Sequence, residues 1–249
     1  MNEHNETPRK RRPYRLSLII LPWLILNGSC LYKSAPPNLS SVENPAKVLA
    51  LGPEPSWSVE FEENFSGFEV GSEPSNLFIL DGAYSVSEEK ADRRLTLPGS
   101  PVGDFGLLFG PRVREKSLSL SFSFFMTRQG RRLPALAAGL GGVRSYRFRF
   151  NAATKQILLT RQEEEIGRVA FTWESGVWWR ARFQALPGDG ERTRIRLKLW
   201  KREQEEPRGW LFDQLDAKAF AGGKCALWAY PYSGTPIHFD DILIESKAP

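Results

Sequence analysis

Cysteine and histidine are nearly missing from this chain of 249 residues, which has two of each. So few cysteines exclude a disulfide-dense scaffold and a Cys-rich zinc module. His4 lies near the start, so His238 stands alone in the rest and no H-E-x-x-H site or multi-histidine metal cage can form. No G-x-S-x-G elbow, phosphate-cradling loop or G-x-G-x-x-G fingerprint occurs, and the glycines at 139, 141 and 142 have the wrong spacing for the last. No apolar run reaches the roughly 20 residues that a spanning helix needs. No long stripe at the helical period appears either.

The basic excess is also smaller than it looks. The net charge is +5, but Arg9, Lys10, Arg11, Arg12 and Arg15 lie in the first 29 residues beside only Glu3 and Glu6. Without that segment 29 basic residues face 27 acids, a net charge of +2, and the global charge argument for a nucleic-acid partner disappears.

The segment itself reads as a secretory signal. A basic front, residues 9–15, precedes the 11-residue run Leu16 to Leu26, interrupted only by Ser17 and Pro22. It ends in Leu26-Asn27-Gly28-Ser29-Cys30, which resembles the lipobox of bacterial lipoproteins, with Asn27 where the lipobox carries an aliphatic residue. The resemblance implies that Cys30 is acylated and becomes the N-terminus; cleavage without lipid and an uncleaved anchor are the other readings. Residues 30–56, with Pro36, Pro37, Pro45, Pro53 and Pro55, suit an extended tether, with an ordered arm packed on the domain as the alternative. The expected organisation is a signal peptide over 1–29, a tether over 30–56 and a folded domain over 57–249.

Within that domain the dominant period is two. Ser117 to Phe124 reads SLSLSFSF, with Leu118, Leu120, Phe122 and Phe124 on one face and serines on the other, a half-buried strand. The pattern recurs at Tyr146-Phe148-Phe150, Ile157-Leu159, Val169-Phe171-Trp173, Trp179-Ala181-Phe183, Ile195-Leu197-Leu199 and Cys225-Leu227. Turn signals, among them Gly110-Pro111 and Pro187-Gly188-Asp189-Gly190, separate the runs. Asp213 to Ala221 is the one stretch that suggests a helical turn, stopped by Gly222-Gly223. Many short antiparallel strands predict an all-β fold of two packed sheets or a barrel.

Four pieces in order resemble the concanavalin A-like lectin/glucanase jelly roll, especially its laminin-G-like and keto-disaccharide hydrolase-like branches. They are Phe61-Glu62-Glu63-Asn64-Phe65-Ser66; Ser175 to Phe183, with its G-x-W-x-R pattern; Arg194 to Trp200 with Glu206 to Trp210; and Phe239-Asp240-Asp241-Ile242-Leu243-Ile244. The resemblance implies a two-sheet antiparallel jelly-roll sandwich. It also implies a structural calcium ion near the first and last strands, held by Asp240 with Glu62 or Glu63; a solvated Asp pair is the alternative.

Catalytic parts are scarce. Glu163-Glu164-Glu165 lacks the alternating acids of laminarinase-type glycanases and reads as a solvated hairpin tip, and Glu174 has no partner by spacing. Cys225 reads as a small buried hydrophobe, with a bridge to Cys30 as the alternative. Cations are more informative. Alternation places Arg147 and Arg149, Arg180 and Arg182, and Arg194, Arg196 and Lys198 on outward strand faces, where they meet either acids or an anionic ligand. Trp228 and Tyr230 share the parity opposite Cys225 and Leu227, so they face outward if the latter are core. Flat aromatics suit sugar rings, and packing is the other reading.

The expected function is a noncatalytic carbohydrate-binding module, exported to a bacterial cell envelope or secreted, touching the membrane through its lipid only. An acidic glycan, a uronate or sulfated polymer, is the expected ligand of Arg147, Arg149, Arg180, Arg182, Arg194, Arg196, Trp228 and Tyr230. The rivals are a glycoside hydrolase or lyase of the keto-disaccharide type, and a structural or protein-interaction lipoprotein.

Overall fold

The computed structural model describes residues 56–249. The signal segment, Cys30 and all of the tether but Ser56 lie outside the described residues. In chain order the strands are β1 (Ser58–Glu63), β2 (Leu77–Ile79), β3 (Ser85–Glu89), β4 (Asp92–Leu97), β5 (Phe105–Val113), β6 (Ser117–Met126), β7 (Ala135–Leu140), β8 (Tyr146–Asn151), β9 (Gln156–Arg161), β10 (Glu164–Ala170), β11 (Trp178–Pro187), β12 (Thr193–Lys201), β13 (Phe212–Asp216), β14 (Gly223–Tyr230) and β15 (Ile237–Lys247).

They form two antiparallel sheets. The larger has eight strands in the order β13-β12-β11-β6-β15-β4-β3, with β1 also on β15; the smaller has seven in the order β10-β9-β8-β7-β14-β5-β2. The architecture is the two-sheet jelly-roll sandwich that alternation and the four motifs predict.

The β6 sequence shows why. Leu118, Leu120, Phe122, Phe124 and Met126 point into the space between the sheets and are at most 1% exposed. Phe122 of the larger sheet stacks on Phe148 of the smaller at 6.4 Å, and Phe148 meets Phe183 edge-on at 5.2 Å. Each such side chain stabilises the fold by roughly 1.5–3 kcal/mol through burial. The alternating serines face outward, and Ser119, Ser121 and Ser123 accept hydrogen bonds from Gln184, Arg182 and Arg180, their register partners on β11.

Some local expectations change, and β10 ends at Ala170, before the Phe171 and Trp173 of the expected alternation. Gly110-Pro111 is not a turn: it lies inside β5, where the register against β14 shifts and Gly110 takes a φ of 68°. That is a bulge, which the same residue types favour. Asp213 to Ala221 makes no helical turn, and among the described residues there is no helix. Its first part is β13, whose pairing with β12 sets Asp213 opposite Arg196, so cross-strand ion pairing outweighs weak helical propensity.

Candidate functional site

On β14, Cys225, Leu227 and Ala229 enter the core, while Ala226, Trp228 and Tyr230 form a separate cluster on the outer face of the smaller sheet with Ala135, Ala137 and part-buried Leu108. Trp228 lies opposite Gly106 on β5 and Ala137 on β7. A Cβ built on Gly106 would come within 2.8 Å of the Trp228 Cδ1, and one on Gly139 within 3.0 Å of its Cζ3. The indole therefore lies along the sheet across three strands, and two glycines make room for it.

Arg147 and Arg149 reach in from β8. Their register partners on β7 are Gly139 and Ala137, too small to keep them from the β14 rings. The Arg147 guanidinium carbon sits 5.4 Å from the Trp228 ring centroid, and that of Arg149 sits 4.3 Å from the Tyr230 centroid. Each contact of this kind contributes about 0.5–2 kcal/mol, more as water is excluded. Trp228 and Tyr230 thus face outward as their parity requires, yet are only 8% and 3% exposed, because the arginines cover them.

No carboxylate among the described residues pairs with Arg147 or Arg149. The Arg149 Nε is buried without a hydrogen-bond partner. Burial pushes the Tyr230 phenol up, an effect that Arg149 and Arg147 partly offset.

The other basic rows lie on the opposite side of the molecule, on the outer face of the larger sheet, and carry their own acids. Arg180 pairs with Asp241 at 3.3 Å, Arg182 with Glu206 at 3.0 Å, and Lys198 with Glu206 at 3.0 Å. Arg194 and Arg196 share Asp213, at 2.6 and 3.4 Å. Hydrogen bonding to Arg194 holds the Asp213 carboxyl below the usual range. The eight residues expected to line one ligand therefore split into two groups on opposite faces, and no single site holds them all.

The candidate calcium ligands do not converge. Asp240 is 2% exposed, next to a bulge where Asp241 takes a φ of 49°. Its Oδ2 accepts from Arg202 at 3.2 Å, and its Oδ1 from the Asp241 backbone at 2.8 Å. Burial, then the Asp241 charge, pushes the Asp240 carboxyl up to about 6. Glu63 is taken by the Phe65 N–H and by Asn76, and exposed Glu62 stands opposite Leu243. Calcium needs about six to eight oxygens. Among the described residues no three or more His, Cys, Asp or Glu side chains gather, and Asp240, Glu62 and Glu63 each have separate surroundings.

Of the remaining residues, Glu174 forms an ion pair with Lys201. Among the described residues Cys225 has no disulfide partner; it is 1% exposed, and burial pushes its thiol up, while Cys30, the alternative bridge partner, lies outside the described residues. His238 is half-buried with its Nδ1 2.8 Å from Thr96 Oγ1; desolvation and nearby Arg94 hold its imidazole down at about 4.

No protein-family model matches the sequence, and no curated protein matches it. Solved structures do match. A mutant of the Emp46p carbohydrate recognition domain superposes with a TM-score of 0.55 at 12% identity, covering 76% of this chain and 97% of that one. The metal-free form of the same domain gives 0.53 at 11% identity, covering 78% and 98%. The exoplasmic/lumenal domain of VIP36, in its Ca2+/Man3GlcNAc-bound form, gives 0.51 at 7% identity, covering 68% and 83%. At such identities the likeness establishes the fold, a two-sheet jelly-roll sandwich, and leaves function to the site.

Proposed function

We propose that the protein is a noncatalytic carbohydrate-binding module whose ligand is an acidic glycan held on the outer face of the smaller sheet. One observation carries the reading. Arg147 and Arg149 are the cations of the expected set that lack a carboxylate, and they are held in place by Trp228 and Tyr230 over a floor of alanine and glycine. The lectin-type fold supports carbohydrate as the ligand class. A forked guanidinium pairs bidentately with carboxylate or sulfate, whereas a neutral sugar has no need of two uncompensated charges. The rings serve here as platforms that fix the arginines, since their upper faces are already covered. Binding of acidic and neutral glycans, with and without the two arginines, is the test.

Cleavage by a carboxylate pair would fall to Asp240 and Asp241, which border a cleft of about 440 Å³. Arg202 bonds both of them, at 3.2 and 3.0 Å, which favours the binder over the hydrolase or lyase. On the strength of residues 9–30 the module is exported and lipid-anchored at Cys30. Membrane fractionation should therefore be lost in a Cys30→Ser variant; unchanged fractionation and mass would remove the anchor from the account.

A further inference from the structure

The arginine-bearing face continues past Trp228, and its far side has the opposite character. A Cβ built on Gly106 would lie 2.8 Å from Trp228 Cδ1 and 3.5 Å from Leu80 Cδ1, so Leu80 borders the same glycine as the indole. The backbone holds it there, because the Leu80 and Asp81 N–H groups both donate to the Gly106 carbonyl, at 2.8 and 3.2 Å.

One row further along, register pairing runs from Phe78 to Leu108, Ala226, Gly139 and Arg147. Read across the sheet, that is two apolar side chains, two small residues and a cation. Five strands at about 4.8 Å spacing make the row roughly 19 Å long.

Phe78 is 62% exposed and Leu80 45%. Neither is a frayed end. Leu77 and Ile79 turn inward to the core from the same short strand, and their alternation obliges Phe78 to face out beside part-buried Leu108. Exposed apolar surface in continuity with a site is surface that a ligand there can bury.

We infer that the acidic glycan carries apolar substituents, acyl esters on its sugar hydroxyls, which rest on Phe78, Leu80 and Leu108 while the acid groups meet Arg147 and Arg149. This rests on the acidic-carbohydrate reading above. An unsubstituted uronate chain would satisfy the arginines and leave Phe78 and Leu80 in water. Between the two walls Ala226 and the Trp228 indole, lying flat over Gly106 and Gly139, form a continuous floor, so one ligand can reach both.

The test uses the full-length chain and two probes of matched length, polygalacturonate and its O-acetylated form, titrated calorimetrically. The acetylated polymer should bind about tenfold more tightly, equivalent to about 1.4 kcal/mol. Phe78→Ser, and independently Leu80→Ser, should bring the ratio of the two affinities towards one; both side chains are exposed, so the fold tolerates the changes. Equal binding of the two polymers by the unmodified protein, or a ratio that survives both substitutions, would overturn the inference and leave the acidic-glycan reading standing. If neither polymer binds, both fall. If Phe78→Ser instead dissolves a dimer seen by sedimentation and leaves the ratio unchanged, the patch is an interface between copies at the β2 edge and the inference is wrong.

Discussion

The guanidinium of Arg149 stands 4.3 Å from the centroid of the Tyr230 ring, and its Nε is buried with no hydrogen-bond partner. A buried donor left unsatisfied costs about 1–3 kcal/mol, more for a charged group. No carboxylate among the described residues pairs with this guanidinium either, so an anion arriving at it would supply the missing charge partner. Arg180, Arg182, Arg194 and Arg196 of the larger sheet differ in that Asp241, Glu206 and Asp213 already pair with them, although the Arg196 Nε also lacks a hydrogen bond.

The fit of Trp228 into the sheet can be tested directly. In Gly106→Ala the new methyl would press on the indole at 2.8 Å. Overpacking of that kind costs about 1–3 kcal/mol. The melting temperature should fall and tryptophan emission shift to the red as Trp228 lifts from the sheet. Gly67→Ala, where a Cβ would meet nothing within 4 Å, should change neither. Equal effects from the two substitutions would mean that the indole does not lie along the sheet.

His238 predicts an acid-side loss of stability. Its folded pKa, about 4, lies below the ordinary imidazole value of 6.5, so the folded state resists taking up the proton. Its contribution is complete above 6.5 and is lost as pH falls towards 4. Asp240 acts in the other direction. Its carboxyl is raised from 3.8 to about 6, so its contribution is present below 3.8 and is lost as pH rises through 6. His238→Gln removes the first and keeps the second. Between pH 6.5 and pH 4 its urea midpoint should therefore drop less than that of the unmodified protein. An identical drop would show that the imidazole titrates normally.

Strand parity made the sheets and the outward direction of Arg147, Arg149, Trp228 and Tyr230 legible in the sequence. It could not tell which sheet each row joins. β14 lies between β7 and β5, and β11 pairs with β6, all through long-range connections that periodicity does not encode. The acids that pair with Arg180 and Arg182 were illegible for a related reason: Asp241 lies 61 residues from Arg180, and Glu206 sits in a loop 24 residues from Arg182. Phe78 escaped notice because a strand of three residues is too short to show a period. Glu62, Glu63 and Asp240 were grouped by family resemblance, and the structure gives Asp240 to Arg202 and Glu63 to Phe65 and Asn76.

Calorimetric titration of one acidic and one neutral glycan into the unmodified protein and into the Arg147→Ala/Arg149→Ala double variant tests the central claim most directly. Two charge-assisted contacts at about 1.5–3 kcal/mol each predict a loss of about 100-fold or more for the acidic ligand. The neutral glycan should bind weakly throughout. The unmodified protein's affinity for the acidic ligand should also fall with added salt, since exposed charges are screened over about 8–10 Å at ordinary ionic strength. Acidic-glycan binding that survives the double substitution, or binding of neutral glucans alone without salt dependence, would contradict the account, and a loss produced instead by Arg180→Ala/Arg182→Ala would move the site to the opposite sheet.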